Sequence, residues 1–403
     1  MSLYGTMRTG VSGMNAQANR LSTVGDNIAN ASTAGYKRAS TQFSSLVLPS
    51  SQGSYNSGGV NTTVRYSISD QGTFSYTTSA TDLAINGQGF FIVQGSDGVE
   101  YLTRAGSFVK MDDGSLLNSA GFKLMGYEYS STEDPTIVIN GFEGLTEINL
   151  SAGGLAATPS TSGTLKVNLP SNEATGWSKS TSLVAYDSQG NSRKLDYTYS
   201  KTGDNAWSVR VDYTAPDGTV HNLMPATALT FNASGQLVTP DPATLTTTGL
   251  TIGGATLGSL AIDISGTTQL NGDFSAEGNV NGKAASGVVD YQISEDGVVF
   301  LKYANGDLVP KYRIAMANVQ SPDMLKPLAG NVYSQSNDSG VIVMGYPGNG
   351  SYGKVLSGAL EDSNVDIAEE LTSMIESQRN YTANSKVFQT GSELMEVLVN
   401  LKR

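Results

Sequence analysis

The chain has 403 residues, 46 of them glycine, no cysteine, only 15% charged residues and a formal net charge of −12. That length predicts two or three domains, and the missing cysteines exclude a disulfide framework and a thiolate site. An isoelectric point near 4.6 argues against nucleic acid or anionic lipid as a partner.

The first thirty residues alternate apolar positions in steps of three and four: Tyr4, Met7, Val11, Met14, Ala18, Leu21 and Ile28, with Gly25 in the one empty slot. A 3.5-residue repeat holds one narrow seam against a partner helix along its length. The spacing predicts a helix from about Ser2 to Asn30, weak in isolation. Gly10, Gly13 and Gly25 each cost about 1 kcal/mol relative to alanine, so the helix is expected to order on assembly. Asn15, Gln17, Asn19 and Asp26 interrupt the stretch where a leader's apolar core would sit, so no cleavable signal peptide is expected. A stretch of about 18 apolar residues occurs nowhere, which predicts no membrane insertion.

Residues 31–70 are rich in Ser, Thr, Gly and Asn and read as a connector with extended pieces such as Val64–Ile68. Strand signals follow at Leu83–Ile85, Phe90–Val93 and Tyr101–Arg104, punctuated by Asn86-Gly87 and Asp97-Gly98, both read as hairpin turns. Composition shifts to small residues near Thr146–Pro159, a predicted domain boundary. Beyond it Leu195, Tyr197 and Tyr199, then Trp207, Val209, Val211 and Tyr213, alternate with period two, the pattern of half-buried antiparallel strands. Thr244–Thr251 and Asn271–Gly287 read as loops closing this unit. Strands resume around Asp296-Gly297 and Asn305-Gly306.

The last forty residues carry a second heptad seam: Ile367, Leu371, Met374, Tyr381, Phe388, Met395 and Val399, with Gln378, Ser385 and Ser392 as polar interruptions. They predict a helix from about Ser363 to Leu401. Repeats this long and regular indicate a coiled coil or helical array rather than an ordinary surface helix.

Every candidate for chemistry reads better as structure. His221, the single histidine, sits in a turn and strand, so a Ser-His-Asp site is not expected. Asp112-Asp113-Gly114-Ser115 lacks the alternating ligands and terminal glutamate of a calcium loop. Gly87-Gln-Gly89 leads into a strand, unlike a dinucleotide fingerprint. Asn61-Thr-Thr63 fits a glycosylation acceptor, a motif common by chance. The expectation is an assembly protein, not an enzyme, with no catalytic residue, cofactor or metal.

Three stretches are similar to known sequences. Leu21–Lys37, with Asn27, Asn30, Gly35, Tyr36 and Lys37, resembles the amino-terminal signature of bacterial flagellar rod and hook proteins. Asp82–Phe91, with Gly89, Phe90 and Phe91, and then Tyr101–Phe108, resemble their shared β domain. Gly358–Asp366, with Asn364, and Met374–Tyr381, with Gln378, Arg379 and Asn380, resemble their carboxy-terminal helix. An extra unit at 149–283, including Tyr186–Asn191, looks like the outer domain of the hook branch.

The resemblance implies a mainly β chain with long terminal α-helices. Helices at 1–30 and 363–403 would form a coiled-coil inner layer, with connectors at 31–70 and 359–362. A discontinuous antiparallel β domain would come from 71–148 and 284–358, and carry an inserted outer β domain at 149–283. It further implies a helical homopolymer: a curved flexible tube joining rod to filament, transmitting torque and enclosing the export channel. The implied partners are rod and hook–filament junction proteins, the hook cap and the flagellar type III export apparatus. The implied location is extracellular, in the hook of the flagellar basal body. A distal rod subunit, or a β-rich surface adhesin working through the insert, are the alternatives.

Overall fold

A computed structural model describes residues 3–46, 58–129 and 137–401. Two helices lie toward the ends of the chain, α1 (Leu3–Ala29) and α2 (Ile367–Leu401), and among the described residues the elements between them are strands apart from one short 3-10 turn at Pro322–Met324. Helix α2 starts where Asp366 caps it: the Asp366 carboxylate accepts from the backbone N–H of Ala368 (2.8 Å) and Glu369 (3.3 Å). An acidic cap also meets the positive end of the helix dipole.

The backbone gathers into two compact units. One comprises Met1–Ala152, Tyr291–Leu301 and Val309–Arg403; the other comprises Gly153–Asp290 and Lys302–Leu308.

In the first unit, strands β1 (Ala39–Ser45) and β2 (Val60–Tyr66) form an antiparallel ribbon in continuous register from Ala39↔Tyr66 to Ser45↔Val60. The sequence suggests only a connector here because Ser, Thr and Asn dominate it; the register gathers Ala39, Phe43, Val60, Val64 and Tyr66 on one face, of which Phe43 and Val64 stay exposed. Backbone pairing and side-chain bonds to α1 supply what burial does not. The Ser12 hydroxyl bonds both the N–H and the C=O of Val60 at 2.9 Å, and Asn19 donates to Thr62.

Next come β3 (Phe74–Tyr76), β4 (Leu83–Asn86), β5 (Phe90–Gln94) and β6 (Glu100–Thr103). β5 is the centre of the main sheet, flanked by β6, by Lys123–Glu128 and by Met316–Asn318. Phe90 and Ile92 face one core with Leu102, Met125, Tyr127 and Met344, while Phe91 packs edge-on to Phe108 on the other face, ring centroids 6.1 Å apart. The Asp97-Gly98 turn joins β5 to β6 as a hairpin. The Asn86-Gly87 turn does not join β4 to β5. β4 pairs instead with Lys354–Ser357. Both Gly87 and Gly89 have positive φ, and a Cβ at Gly89 would lie 2.5 Å from Met316 Cε. The chain uses the two glycines to change sheets, which a local turn signal cannot reveal.

The second unit packs a five-stranded antiparallel meander (178–239) against a four-stranded sheet in the order Thr244–Thr246, Ala261–Asp263, Ser162–Asn168, Ser275–Val280. The period-two residues behave as their spacing predicts: Leu195, Tyr197, Tyr199, Trp207, Val209, Val211 and Tyr213 are all buried in one core. Two segments expected to be loops are largely strands: Thr244–Thr246, Leu250–Ile252, Ser275–Val280 and the start of Lys283–Ile293. Ser275–Val280 is almost wholly exposed, so its pairing with Ser162–Asn168 leaves no apolar alternation to read.

Both tryptophans, Trp177 and Trp207, belong to this second core. Leu195→Ala should destabilise the unit by about 2–5 kcal/mol through the cavity it leaves. Tryptophan fluorescence during urea unfolding should report that loss, while the helical circular dichroism signal keeps its own midpoint.

Candidate assembly surface

The segments following α1 and preceding α2 are tied to the β structure by a buried ion cluster. Glu361 is fully buried. Its Oε1 accepts from Lys37 Nζ at 2.6 Å and from the Gly72 N–H at 3.0 Å, and its Oε2 accepts from Arg104 Nη1 at 3.2 Å. Arg104 continues to the carbonyl of Gly87 at 2.8 Å and lies over the Phe90 ring, 5.2 Å from its centre. Burial pulls the Lys37 amine below the usual lysine range, while the Glu361 carboxylate opposes that shift. Burial likewise lowers Arg104, again opposed by Glu361. One carboxylate thus serves two desolvated cations.

Asparagines complete the tie. Asn27 on α1 pairs with both backbone groups of Ala39: its Nδ2 donates to the carbonyl at 2.7 Å and its Oδ1 accepts from the N–H at 2.9 Å. The Tyr36 hydroxyl also donates to Asn27 Oδ1; burial, with Asp26 nearby, pushes Tyr36 up to about 12. Asn364 accepts from the Arg38 N–H at 2.7 Å and donates to the carbonyls of Ser67 and Asp70. Asn30 closes the end of α1 by donating to the Asp26 carbonyl. Gly35 has φ +69° and its N–H donates to the Glu361 carbonyl; a Cβ there would sit 2.5 Å from the Ala105 nitrogen. Arg38 bridges to Glu369 and Glu370 in the first turn of α2, at 2.9 and 2.6 Å.

The helices meet through small and polar residues rather than through the large apolar ones. Glu370, Ser377 and Gly391 are buried on α2, and Asn384 is half-buried between them, a row spaced by seven. A Cβ on Gly13 would come within 2.7 Å of the Asn384 side chain, and one on Gly391 within 2.7 Å of Met7. Arg20 reaches Ser373 and Glu376. Of the seam residues read from the sequence, Met7, Met14, Ile28 and Met374 are half-buried. Tyr4, Val11, Leu21, Ile367, Leu371, Tyr381, Phe388, Met395 and Val399 are exposed, as are Ile375, Val387, Leu394, Val397 and Leu398. Gln378, Arg379 and Asn380 also lie exposed on α2, outside the ion cluster. Sequence reasoning missed Glu361 and Arg104 as functional positions, although both lie within the motif stretches. The available signal was a lone acid in the strand Ala359–Glu361 and a lone base directly after β6.

Profiles of four flagellar families match the chain: "Flagella basal body rod protein" over 7–37, "Flagellar hook protein FlgE/F/G D1 domain" over 84–172, "Flagellar basal body protein FlaE D2 domain" over 149–282, and "Flagellar basal body rod FlgEFG protein C-terminal" over 356–401. The flagellar hook protein FlgE of Rhizobium meliloti is 63% identical over the full length of both chains. The chain belongs to the flagellar hook protein family. The hook protein FlgE of Brucella suis is 50% identical, again over 100% of both chains, and that of Escherichia coli is 32% identical over 97% of this chain and 98% of its own. A solved Helicobacter pylori hook protein, FlgE2, aligns with 70% of this chain and 98% of its own at a TM-score of 0.47 and 15% identity, too low to carry an argument.

Glu361→Gln should cost about 3–5 kcal/mol, since it leaves two buried cations without a counter-charge. The pH dependence gives a second readout. A lysine pKa lowered in the folded state means that the unfolded chain binds more protons just below the normal lysine pKa, so stability rises with pH there. Removing Glu361 removes the group that raises Lys37, so the variant should regain stability over a wider range than the wild type as pH climbs from neutral toward about 10. Urea midpoints measured across that range check both the loss and its sign.

Proposed function

We propose that this chain is the structural subunit of the flagellar hook and polymerises through its terminal helices into a flexible tube between rod and filament. The observation that carries the reading is the apolar surface of α2. Over 35 residues it turns its small, polar row toward α1 and leaves Leu371, Tyr381, Phe388 and Val399 exposed. Burying each such side chain is worth about 1.5–3 kcal/mol, and neighbouring copies of the same helix supply the burial. Membership in a hook protein family along the whole chain supports the same role.

The role is mechanical, with no catalytic step. Torque would pass from helix to helix in the inner tube and reach the β structure of the first unit through the Lys37–Glu361–Arg104 cluster. Within the flagellum the proposed neighbours are rod subunits, hook–filament junction proteins and the hook cap. Export through the flagellar type III apparatus is part of the proposal, because helices that gain most of their burial on assembly are compatible with passage as an unfolded chain.

Leu371 is 48% exposed, so Leu371→Asp should leave the melting of the soluble chain unchanged and block tube formation, since assembly would bury a charge without a partner. Glu376→Ala should assemble nearly as well as the wild type, because its ion pair with Arg20 is solvent-exposed and such pairs contribute about 0–1 kcal/mol. Sedimentation and negative-stain microscopy of the purified chains distinguish these outcomes.

A further inference from the structure

Asparagine is followed directly by glycine at Asn86, Asn140, Asn271, Asn281, Asn305 and Asn349. Each pair sets an electrophile beside a latent nucleophile: the side-chain amide carbon of the asparagine and the backbone nitrogen of the glycine, which no side chain shields. An intramolecular reaction runs only from a near-attack geometry. The asparagine side chain must therefore be free to swing, and the glycine N–H must be free of a partner. The fold divides the pairs on these two criteria.

Three pairs are held. Asn305 Oδ1 accepts from the Asp307 N–H at 2.9 Å, its Nδ2 donates to the Asp307 carboxylate at 2.9 Å, and the Gly306 N–H donates to the Tyr303 carbonyl. Asn281 Oδ1 accepts from the N–H of Thr161 and of Ser162, and its Nδ2 donates to the Thr161 hydroxyl at 2.8 Å. Asn86 is paired with Lys354 in a sheet, and the Gly87 N–H donates to Gln71 Oε1 at 3.3 Å. Asn140 is intermediate, because the Gly141 N–H reaches the Val138 carbonyl only at 3.5 Å.

Two pairs are free. Among the described residues, neither the side chains of Asn349 and Asn271 nor the N–H groups of Gly350 and Gly272 have a hydrogen-bond partner, and all four residues are exposed. Open space surrounds both glycines. A Cβ on Gly350 would meet nothing within 4 Å, and one on Gly272 only the Asn168 amide at 3.5 Å. Asn349 also lines an open cleft of about 600 Å³ with Asp296, Pro347 and Lys354, so water reaches it.

We propose that Asn349 and Asn271 are sites of spontaneous deamidation in the folded chain, with water as the only co-reactant. The Gly350 nitrogen attacks the Asn349 side-chain carbon. The N–Cγ bond forms, the Cγ–Nδ2 bond breaks, and the amide leaves as ammonia with the proton given up by the glycine nitrogen. One water then opens the five-membered imide at either carbonyl and leaves an aspartyl or an isoaspartyl residue. Gly272 acts on Asn271 in the same way. Each event adds one negative charge, beside Asp273 in the second unit and in the Asp296–Lys354 cleft of the first. At Asn349 the isoaspartyl product also lengthens the backbone of a turn whose N–H donates to the Tyr346 carbonyl at 3.3 Å and whose carbonyl accepts from the Tyr352 N–H at 3.1 Å.

The test compares the folded full-length chain with the same chain in urea. Both are kept in mildly alkaline buffer, and peptide mapping by mass spectrometry follows amide-to-acid conversion at every pair. In the folded chain Asn349 and Asn271 should convert at least tenfold faster than Asn305, Asn281 and Asn86, and in urea that spread should collapse. Equal rates in the folded chain overturn the proposal. A spread that persists in urea also overturns it, since the order would then come from neighbouring residues and not from the fold. As a second measure, Gly350→Ala should slow conversion at Asn349 at least tenfold and leave Asn271 unchanged. An unchanged rate at Asn349 in that variant overturns attack by the Gly350 nitrogen.

Discussion

The arrangement around the helices depends on one carboxylate. Glu361 is withdrawn from water between Lys37 and Arg104, and those three residues come from three separate places: the segment after α1, the end of β6, and the strand that leads into α2. Desolvating three charges is costly, and their mutual attraction offsets that cost only when geometry and additional hydrogen bonds are good. Here the additional bonds are present: the Gly72 N–H on Glu361, the Gly87 carbonyl on Arg104 and the Asp70 carbonyl on Lys37. Such a cluster tolerates few alternative placements of its members. It fixes where the chain leaves α1 and where it enters α2, something a purely apolar junction would do less specifically.

From that point the helices inherit their relation. Asn27 and Asn364 add backbone-directed hydrogen bonds on either side of the cluster, and Arg38 reaches the first turn of α2. Further along, glycine, serine and asparagine permit close approach, with Met7 set against Gly391 and Phe388 beside Gly10. The consequence is a division of labour by residue size. Small and polar residues line much of the contact between the two helices, and large apolar residues such as Leu371 and Tyr381 remain exposed. The small row on α2 runs Glu370, Ser377, Asn384 and Gly391, whereas Tyr381 and Phe388 lie three positions before Asn384 and Gly391, so each set keeps its own stripe of the helix.

The β structure shows the same separation of internal from external work. In the second unit the alternating aromatic and aliphatic residues Leu195–Tyr213 are committed to its core, and many outward positions are Ser, Thr, Asp and Lys joined by cross-strand bonds such as Ser180 with Thr198 and Ser182 with Asp196, although Val184 and Val220 are exposed as well.

The sequence by itself determined the elements whose signal is periodic and local. Heptad spacing located both helices to within a few residues, and period-two runs such as Leu195–Tyr199 and Trp207–Tyr213 identified the strands and the face they bury. The motif stretches identified the family, and with it Asn27, Lys37 and Asn364 as residues of consequence. Tertiary structure decided whatever depends on partners distant in the chain. The heptad pattern located a seam but not its occupant, because periodicity is blind to whether Gly13 and Asn384 or Leu371 and Tyr381 face the companion helix. Ser275–Val280 became a strand by pairing with Ser162–Asn168, a backbone interaction that leaves no trace in side-chain pattern. Asn86-Gly87 became a crossover because β4 has its partner at Lys354–Ser357, more than 260 positions away. Glu361 and Arg104 look like ordinary surface charges in sequence, and Lys37 stands out only through its motif. Only the folded chain withdraws them from water together, and burial is what turns three distant side chains into the cluster on which the helices depend.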